Sequence, residues 1–266
     1  MALYGVLGDI HGNLEALRAV LAALDERGVR ELLCVGDIVG YNADADACAA
    51  LLRRRGARVI LGNHDLIATR RLGFERCANN ARYALARTRR TLARETADWL
   101  LTLPERLLVD DRIALVHGGV RDVQLYMRTP QLIAGNAALL RADFPSARVC
   151  FFGHSHVQKV YELDAGSTIE LPLAGALSRE RLYFINMGSV DAQRKQASKL
   201  AECAVFDSSA WTIEFLRLRY DAAATEAKAA AGGYRITPLL DRIYTWRRRL
   251  LPQAPYRAFS RQSKSA

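Results

Sequence analysis

Gly8-Asp9-Ile10-His11-Gly12-Asn13 is the stretch that decides how this chain is read. Before it stands an apolar run, Tyr4-Gly5-Val6-Leu7, with the length of a short buried strand. After it Leu14, Leu17, Val20, Leu21 and Leu24 recur at three- and four-residue steps, the period of an amphipathic helix. A carboxylate and an imidazole therefore leave the end of a strand two residues apart. In extended backbone such residues point the same way. Asp9 and His11 are expected to reach one ion together, with a hard oxygen and a borderline nitrogen. Gly12 permits close backbone approach, and Asn13 has the side chain of an N-cap. The helix N-terminus behind them favours a phosphate. Taken alone, Asp-x-His is also what an ordinary polar turn contains.

The arrangement returns along the chain. Glu31 to Val35 reads as a second buried strand and ends in Gly36-Asp37-Ile38-Val39-Gly40-Tyr41-Asn42. A helix over Ala43 to Arg55 follows, then a strand over Ala57 to Leu61 that ends in Gly62-Asn63-His64-Asp65. Strand-loop-helix units in series imply parallel strands with right-handed crossovers. Ligands of such sheets bind beyond the carboxyl ends of the strands. The three polar loops are thus expected to meet.

Ala78 to Leu101 reads as one long helical region closed by Pro104. Strands over Arg106 to Val109 and Arg112 to Val116, joined at Asp110-Asp111, lead to His117-Gly118-Gly119. Arg121, Tyr126 and Arg128 read as plain residues of the next loop. A helix near Gly135 to Ala142 precedes the strand Val149 to Phe152, which ends in Gly153-His154-Ser155-His156. Beyond it the pattern becomes antiparallel: Lys159 to Leu163, Thr168 to Leu171, Leu182 to Asn186, Ala201 to Phe206 and Trp211 to Arg219. Asp164-Ala165-Gly166 and Asp207-Ser208-Ser209 are the expected hairpin turns. These elements make a main domain over residues 1–220. Residues 221–266 read as a helical, basic appendage: Ala-rich Asp221 to Ala231, a break at Gly232-Gly233, and a basic amphipathic helix over Pro238 to Leu251.

All five histidines, His11, His64, His117, His154 and His156, fall in loops just after expected strands. Asp9, Asp37 and Asn63 share that setting. Separate roles as caps or turn residues do not account for this common placement. Two metal ions about 3.5–4 Å apart need a bridging carboxylate and several nitrogen or oxygen ligands. The inventory suffices without a cysteine.

Composition narrows the setting. Half of the 266 residues are hydrophobic and a quarter charged, as in ordinary soluble domains, and no uncharged apolar run is long enough to span a membrane. No signal-peptide pattern is present. Cys34, Cys48, Cys77, Cys150 and Cys203 are scattered and form no C-x-x-C pair, so they read as reduced thiols of a cytoplasmic protein. A formal charge of +10 allows an anionic partner. Arg53 to Arg55 and Arg87 to Arg90 read as solvated helix faces. The basic segment near the C-terminus has only Tyr244 and Trp246 as aromatic partners, which makes a nucleic-acid anchor the weaker reading. Packing of that helix on the second sheet is the expectation.

The series Gly-Asp-x-His, Gly-Asp, Gly-Asn-His-Asp, His-Gly, Gly-His-x-His resembles the calcineurin-like metallophosphoesterases, in their order, from Gly8 to Arg194. The resemblance implies a four-layer α/β/β/α sandwich with mixed sheets. It implies one metal on Asp9, His11 and His156, a second on Asn63, His117 and His154, and Asp37 bridging them. It makes His64 a proton donor to the leaving group rather than a ligand. The implied activity is phosphodiester hydrolysis by a metal-bridging hydroxide, with phosphomonoesters as a second class and a nucleotide or other small phosphodiester as substrate. The cofactors are two divalent or mixed-valence ions; mixed nitrogen and oxygen ligands suit Mn, Fe, Zn, Co or Ni. Rival readings are a phosphoprotein or dinucleoside polyphosphate phosphatase, and a non-catalytic or nucleic-acid-associated protein with the same fold. Two departures bear on them. The loop at Gly40-Tyr41-Asn42 lacks the Asp-Arg-Gly of the phosphoprotein and diadenosine tetraphosphatase branches, hence its phosphate-binding arginine. Asn186-Met187-Gly188-Ser189-Val190, with Arg194 beyond, resembles a loop of the small bacterial phosphodiesterase-like branch, with Met187 in place of the usual proline.

Overall fold

The computed structural model describes residues 2–164, 167–191 and 199–250; Arg194 and the end of the Asp164-Ala165-Gly166 turn lie outside them. Alternating and continuous apolar runs build the strands β1 (Leu3–Leu7), β2 (Glu31–Cys34), β3 (Arg58–Val59), β4 (Leu107–Val109), β5 (Ile113–Leu115), β6 (Val149–Phe152), β7 (Lys159–Asp164), β8 (Ser167–Leu171), β9 (Ala174–Ala176), β10 (Leu182–Asn186), β11 (Leu200–Asp207) and β12 (Thr212–Arg219). The helices are α1 (Leu14–Glu26), α2 (Ala45–Arg54), α3 (Asn63–Ala68), α4 (Asn79–Thr91), α5 (Arg94–Thr102), α6 (Pro130–Asp143), α7 (Ala222–Ala231) and α8 (Pro238–Leu250).

The strands form two mixed sheets, in the orders β3-β2-β1-β11-β12-β9 and β4-β5-β6-β10-β7-β8. In the first, β1, β2 and β3 run parallel, β11 pairs antiparallel to β1, and β12 pairs antiparallel to β11. In the second, β5, β6 and β10 run parallel. This corrects the antiparallel reading of Leu182 to Asn186: β10 lies antiparallel to β7 on one side but parallel to β6 on the other. A long crossover between distant strands leaves no local mark in a sequence.

The two-residue period of the strands sorts side chains into layers. Tyr4, Val6, Leu33 and Val35 from the first sheet meet Ile113, Leu115, Phe151, Tyr183 and Ile185 from the second in a buried seam. On the outer side of the first sheet, Leu7, Leu32 and Cys34 pack under the apolar faces of α1 and α2. Gly5 faces this side; a Cβ there would stand 2.7 Å from Leu24 Cδ1, so α1 sits close against β1. On the outer side of the second sheet, Ala114, Cys150, Phe152 and Phe184 pack with Ile133, Ala137 and Leu140 of α6. Helix, sheet, sheet and helix thus stack in four layers, as the resemblance implies.

The expected helix over Ala78 to Leu101 is two helices. Leu92 and Ala93 are extended (ψ 127° and 144°), and the Ala93 N–H donates to the Asp46 carboxylate of α2 instead of continuing the helix. Arg89 is no solvated residue: it donates to the carbonyls of Ile67 and Leu72 and stacks on Phe74, 4.0 Å from the ring centroid. All five cysteines are buried free thiols. Helix α7 packs on α1, and α8 packs on α4 rather than on the second sheet. Asn79 Nδ2 donates to Asp241 and Thr245, and Tyr244 meets Tyr83 edge-on at 6.4 Å.

Candidate metal centre

The carboxyl ends of β1, β2 and β3 in one sheet and of β5 and β6 in the other open on one spot, and the polar loops meet there. Asp9, His11, Asp37, Asn63, His64, His117 and His154 are buried, and only His156 is partly open to solvent. Burial of so many polar groups is costly unless each is paired. Their nitrogen and oxygen atoms gather in three groups, each spanning no more than 4.8 Å: Asp9, His11 and His156; His11, Asp37 and His64; Asp37, His117 and His154. Asp37 and His11 each belong to two of them. Asn63 Oδ1 lies 3.0 Å from His117 Nε2. All eight residues singled out from the sequence therefore come together.

The backbone that gathers them differs from expectation. Asp9 and His11 are not in extended chain; their φ angles are +51° and +52°. Asp37 (+55°), His154 (+64°) and His156 (+56°) are also left-handed. Such backbone costs roughly 1–2 kcal/mol per L-residue, somewhat less for Asp. It persists because the loops are fastened from several sides.

Asp65 is the main fastening. One of its carboxylate oxygens accepts from the N–H groups of Asp37 and Gly62, and the other from Ile38 and Val39, at 2.8–3.1 Å. The loop after β2 is thereby tied to the start of α3. Burial, then the neighbouring charge of Asp37, push the Asp65 carboxyl up to about 7. Asp191 is a second fastening: its Oδ1 accepts from Asn13 and Asn42, both at 2.8 Å. The loop after β10 closes on Asp9, whose carbonyl accepts from the Ser189 hydroxyl and the Asp191 N–H. Met187 fits this loop by burying its side chain between the sheets.

The crossing of the β2 and β3 loops leaves no room for side chains. Gly36 has φ +92°, and a Cβ there would stand 2.7 Å from the Leu61 carbonyl carbon and press on the Gly62 backbone. Gly56 also has positive φ (+62°), but a Cβ there would meet nothing within 4 Å. Gly36→Ala is expected to cost about 3 kcal/mol or more and to lower Tm by roughly 6–12 °C. Gly56→Ala should cost only about 1 kcal/mol. Equal Tm shifts in thermal denaturation would show that the crossing is not packed as described.

The electrostatics call for a cation. His117 Nδ1 stands 2.8 Å from the Val35 carbonyl and donates to it, so the neutral ring presents Nε2 as a lone pair. That lone pair faces Asn63 Oδ1 at 3.0 Å and Asp37 Oδ2 at 3.3 Å. Burial alone would lower the His117 pKa, yet Asp37 and Asp9 hold a proton there up to about 9. Burial likewise opposes ionisation of Asp9, but His156 and His117 hold its carboxyl below the usual range. Asp37 is held well below it by His117 and His64 against the same burial cost. His154 behaves oppositely: burial, then the neighbouring His117, push it down to about 3. Its Nε2 is buried and meets no hydrogen-bonding partner among the described residues. A neutral imidazole with a buried lone pair beside two carboxylates is the donor set of a cation site. The His154 backbone N–H donates to both oxygens of Asp9, at 2.9 and 3.2 Å.

Several residues that sequence patterns passed over belong to this surrounding. The Tyr41 ring lies against His11 and His64, with centroids 4.8 and 4.7 Å away. Arg235, between α7 and α8, donates to the Tyr41 carbonyl and the Asn42 side chain while paired with Glu226. Of the loop residues read as plain, Arg121 is: it pairs with Asp143 of α6, and together with Arg106 it holds that carboxyl down to about 2. Tyr126 and Arg128 are not. Tyr126 is half-exposed and stacks on His154 at 4.0 Å. Arg128 lies over the Tyr126 ring at 4.7 Å and donates to the Ser155 carbonyl between His154 and His156.

Comparison with known proteins agrees with this geometry. The family model described as calcineurin-like phosphoesterase superfamily domain matches residues 2–210. An uncharacterised protein of Methanocaldococcus jannaschii is 28% identical over 224 residues, covering 83% of this chain and 88% of its own. The crystal structure of a metallophosphoesterase from Sphaerobacter thermophilus superposes with TM-score 0.73 at 29% identity, covering 91% of this chain and 97% of that one. A hypothetical protein from Pyrococcus horikoshii superposes with TM-score 0.67 at 17% identity over the same shares, a likeness of fold.

Proposed function

The chain belongs to the calcineurin-like phosphoesterase superfamily, and on that premise we propose that it is a dinuclear metal-dependent phosphodiesterase, with phosphomonoesters as poorer substrates. The observation that carries this reading is the meeting of the two groups Asp9, His11, His156 and Asp37, His117, His154 in one buried spot. In our assignment Asp9, His11 and His156 hold one ion, Asn63, His117 and His154 hold the other, and Asp37 serves both. Bound there, a pair of cations would supply a nucleophile near neutral pH and offset the charge that grows on the phosphoryl oxygens.

The chain's own residues do the rest. His64 is given the proton for the departing oxygen, because an alkoxide leaves poorly without one and imidazole titrates in the needed range. Its backbone N–H donates to Asp37 Oδ1 at 2.7 Å, and its ring is walled by His11 and Tyr41. Diester preference rests on charge. The Gly40-Tyr41-Asn42 loop carries no cation of its own, and Arg235 behind it is paired with Glu226. Arg128, on the Ser155 carbonyl between His154 and His156, supplies a single positive charge, which balances a monoanionic diester and falls one short of a dianionic monoester. Five buried free thiols agree with a cytoplasmic setting.

The test is turnover of bis-p-nitrophenyl phosphate and p-nitrophenyl phosphate by chelator-treated protein with Mn, Fe, Zn, Co or Ni restored singly. We expect turnover only with metal, and a higher kcat/KM for the diester. No turnover with any of these metals, or a rate indifferent to chelation, would overturn the proposal. A higher kcat/KM for the monoester would overturn its diester part.

A further inference from the structure

Helix α8 carries two faces. Its inner face, Leu240, Asp241, Tyr244 and Thr245, is seated on α4 through the Asn79 hydrogen bonds and the Tyr83 contact. On the opposite side Leu239, Ile243 and Trp246 recur at four- and three-residue steps and form one apolar stripe. They are 68%, 41% and 63% exposed. Exposed Arg242 and Arg247 lie on either side of the stripe by helical geometry. The helix holds four arginines against one aspartate, and that aspartate accepts from Asn79. Residues 251–266 add Arg257, Arg261 and Lys264 and no acidic residue.

We propose that the outer stripe of α8 docks on an anionic lipid surface. A helix with an apolar stripe edged by arginines settles in the plane of a membrane interface, its rings and aliphatic groups among the upper acyl chains and its guanidinium groups at the headgroups. Both halves of the feature are needed. Lipid phosphates alone would leave Leu239, Ile243 and Trp246 in water. A neutral apolar surface would gain nothing from the arginines. A second copy of the chain is disfavoured, because a symmetric contact through the stripe would bring arginine rows together. No helix among the described residues is long and apolar enough to cross a membrane, so the contact is peripheral. The inner face stays on α4, and docking does not require α8 to leave the fold.

The test uses the full chain and vesicles of phosphatidylcholine alone or mixed with phosphatidylglycerol. Co-sedimentation should occur with the mixed vesicles only and weaken with added salt. Arg242→Gln with Arg247→Gln should weaken it about 30-fold, from roughly 1 kcal/mol per arginine lost. Ile243→Asp should weaken it at least about tenfold. Turnover of a soluble diester should be unchanged in both variants, which also shows that they fold. Emission from Trp246 should shift to the blue on vesicle binding, and Trp246→Phe should remove that change. Failure to bind the mixed vesicles would overturn the proposal, as would binding indifferent to Ile243→Asp. Tighter binding to duplex DNA or RNA than to the mixed vesicles would overturn it in favour of a nucleic-acid contact.

Discussion

Asp37→Ala is expected to abolish diester turnover and to reduce bound metal from two ions per chain to one or none. The reasoning is local. Asp37 Oδ2 lies 3.3 Å from His117 Nε2 and 3.8 Å from His11 Nε2, and so stands between the two proposed ion positions. Its other oxygen accepts from the backbone N–H of His64. Alanine removes the shared charge, the link between the ions and that hydrogen bond together. A loss of about 10³-fold or more in kcat/KM is expected, a barrier increase of ~4 kcal/mol. Asp37→Asn can still accept from the His64 N–H and isolates the effect of charge. Metal per chain by elemental analysis, set beside kcat/KM, is the measurement. A variant that keeps two ions and wild-type turnover would remove Asp37 from the centre of the proposal.

His64→Ala should act differently. Metal content is expected to persist, because His64 is assigned to neither ion. The rate should fall about 10²–10⁴-fold for a diester whose leaving group is an alkyl or nucleoside alkoxide, the usual worth of general acid catalysis. For a p-nitrophenolate leaving group, which departs without a proton, the loss should be much smaller. Equal losses on both leaving groups would show that the His64 ring only shapes the wall of the site and donates no proton.

The layers of the fold were legible because burial leaves a strong mark. Val149 to Phe152 and Leu182 to Ile185 are unbroken apolar runs; β6 coincides with the first, and β10 outruns the second by the single residue Asn186. Asn63-His64-Asp65 gave the opposite result. Its polar groups read as a loop, but they open a short helix, with the Asp65 carboxylate bound to the Gly62 N–H ahead of them. The strand before it shrinks to two residues because the chain turns early toward the site. Ala174 to Ala176 carry no strand signal at all; pairing to β12 alone makes them β9.

The candidate site divides along the same line. Residues that offer lone pairs to an ion must stand at strand ends, and that placement shows in the sequence. Asp65, Asp191, Tyr41 and Arg235 act on backbone and side chains brought close by tertiary folding. Nothing near them in sequence marks the partner. The one physical trace is conformational: the Asp-x-His pair is expected in extended chain but, like the His-x-His pair, is left-handed, so both converge by curling inward and need those distant fastenings.

Asp9, His11, Asp37 and Asn63 hang from one sheet, whereas His117, His154 and His156 hang from the other. Under the proposed assignment, each ion is gripped from both leaves of the sandwich, like a clasp on a book. The hinge of that book is the oily seam around Phe151 and Tyr183, and slippage there would pull on both halves of the clasp at once. Reactivity and cohesion are then coupled: mutations deep in the seam can silence the enzyme without touching a ligand, and filling the clasp tightens leaves that hydrocarbon contact alone would leave free to creep.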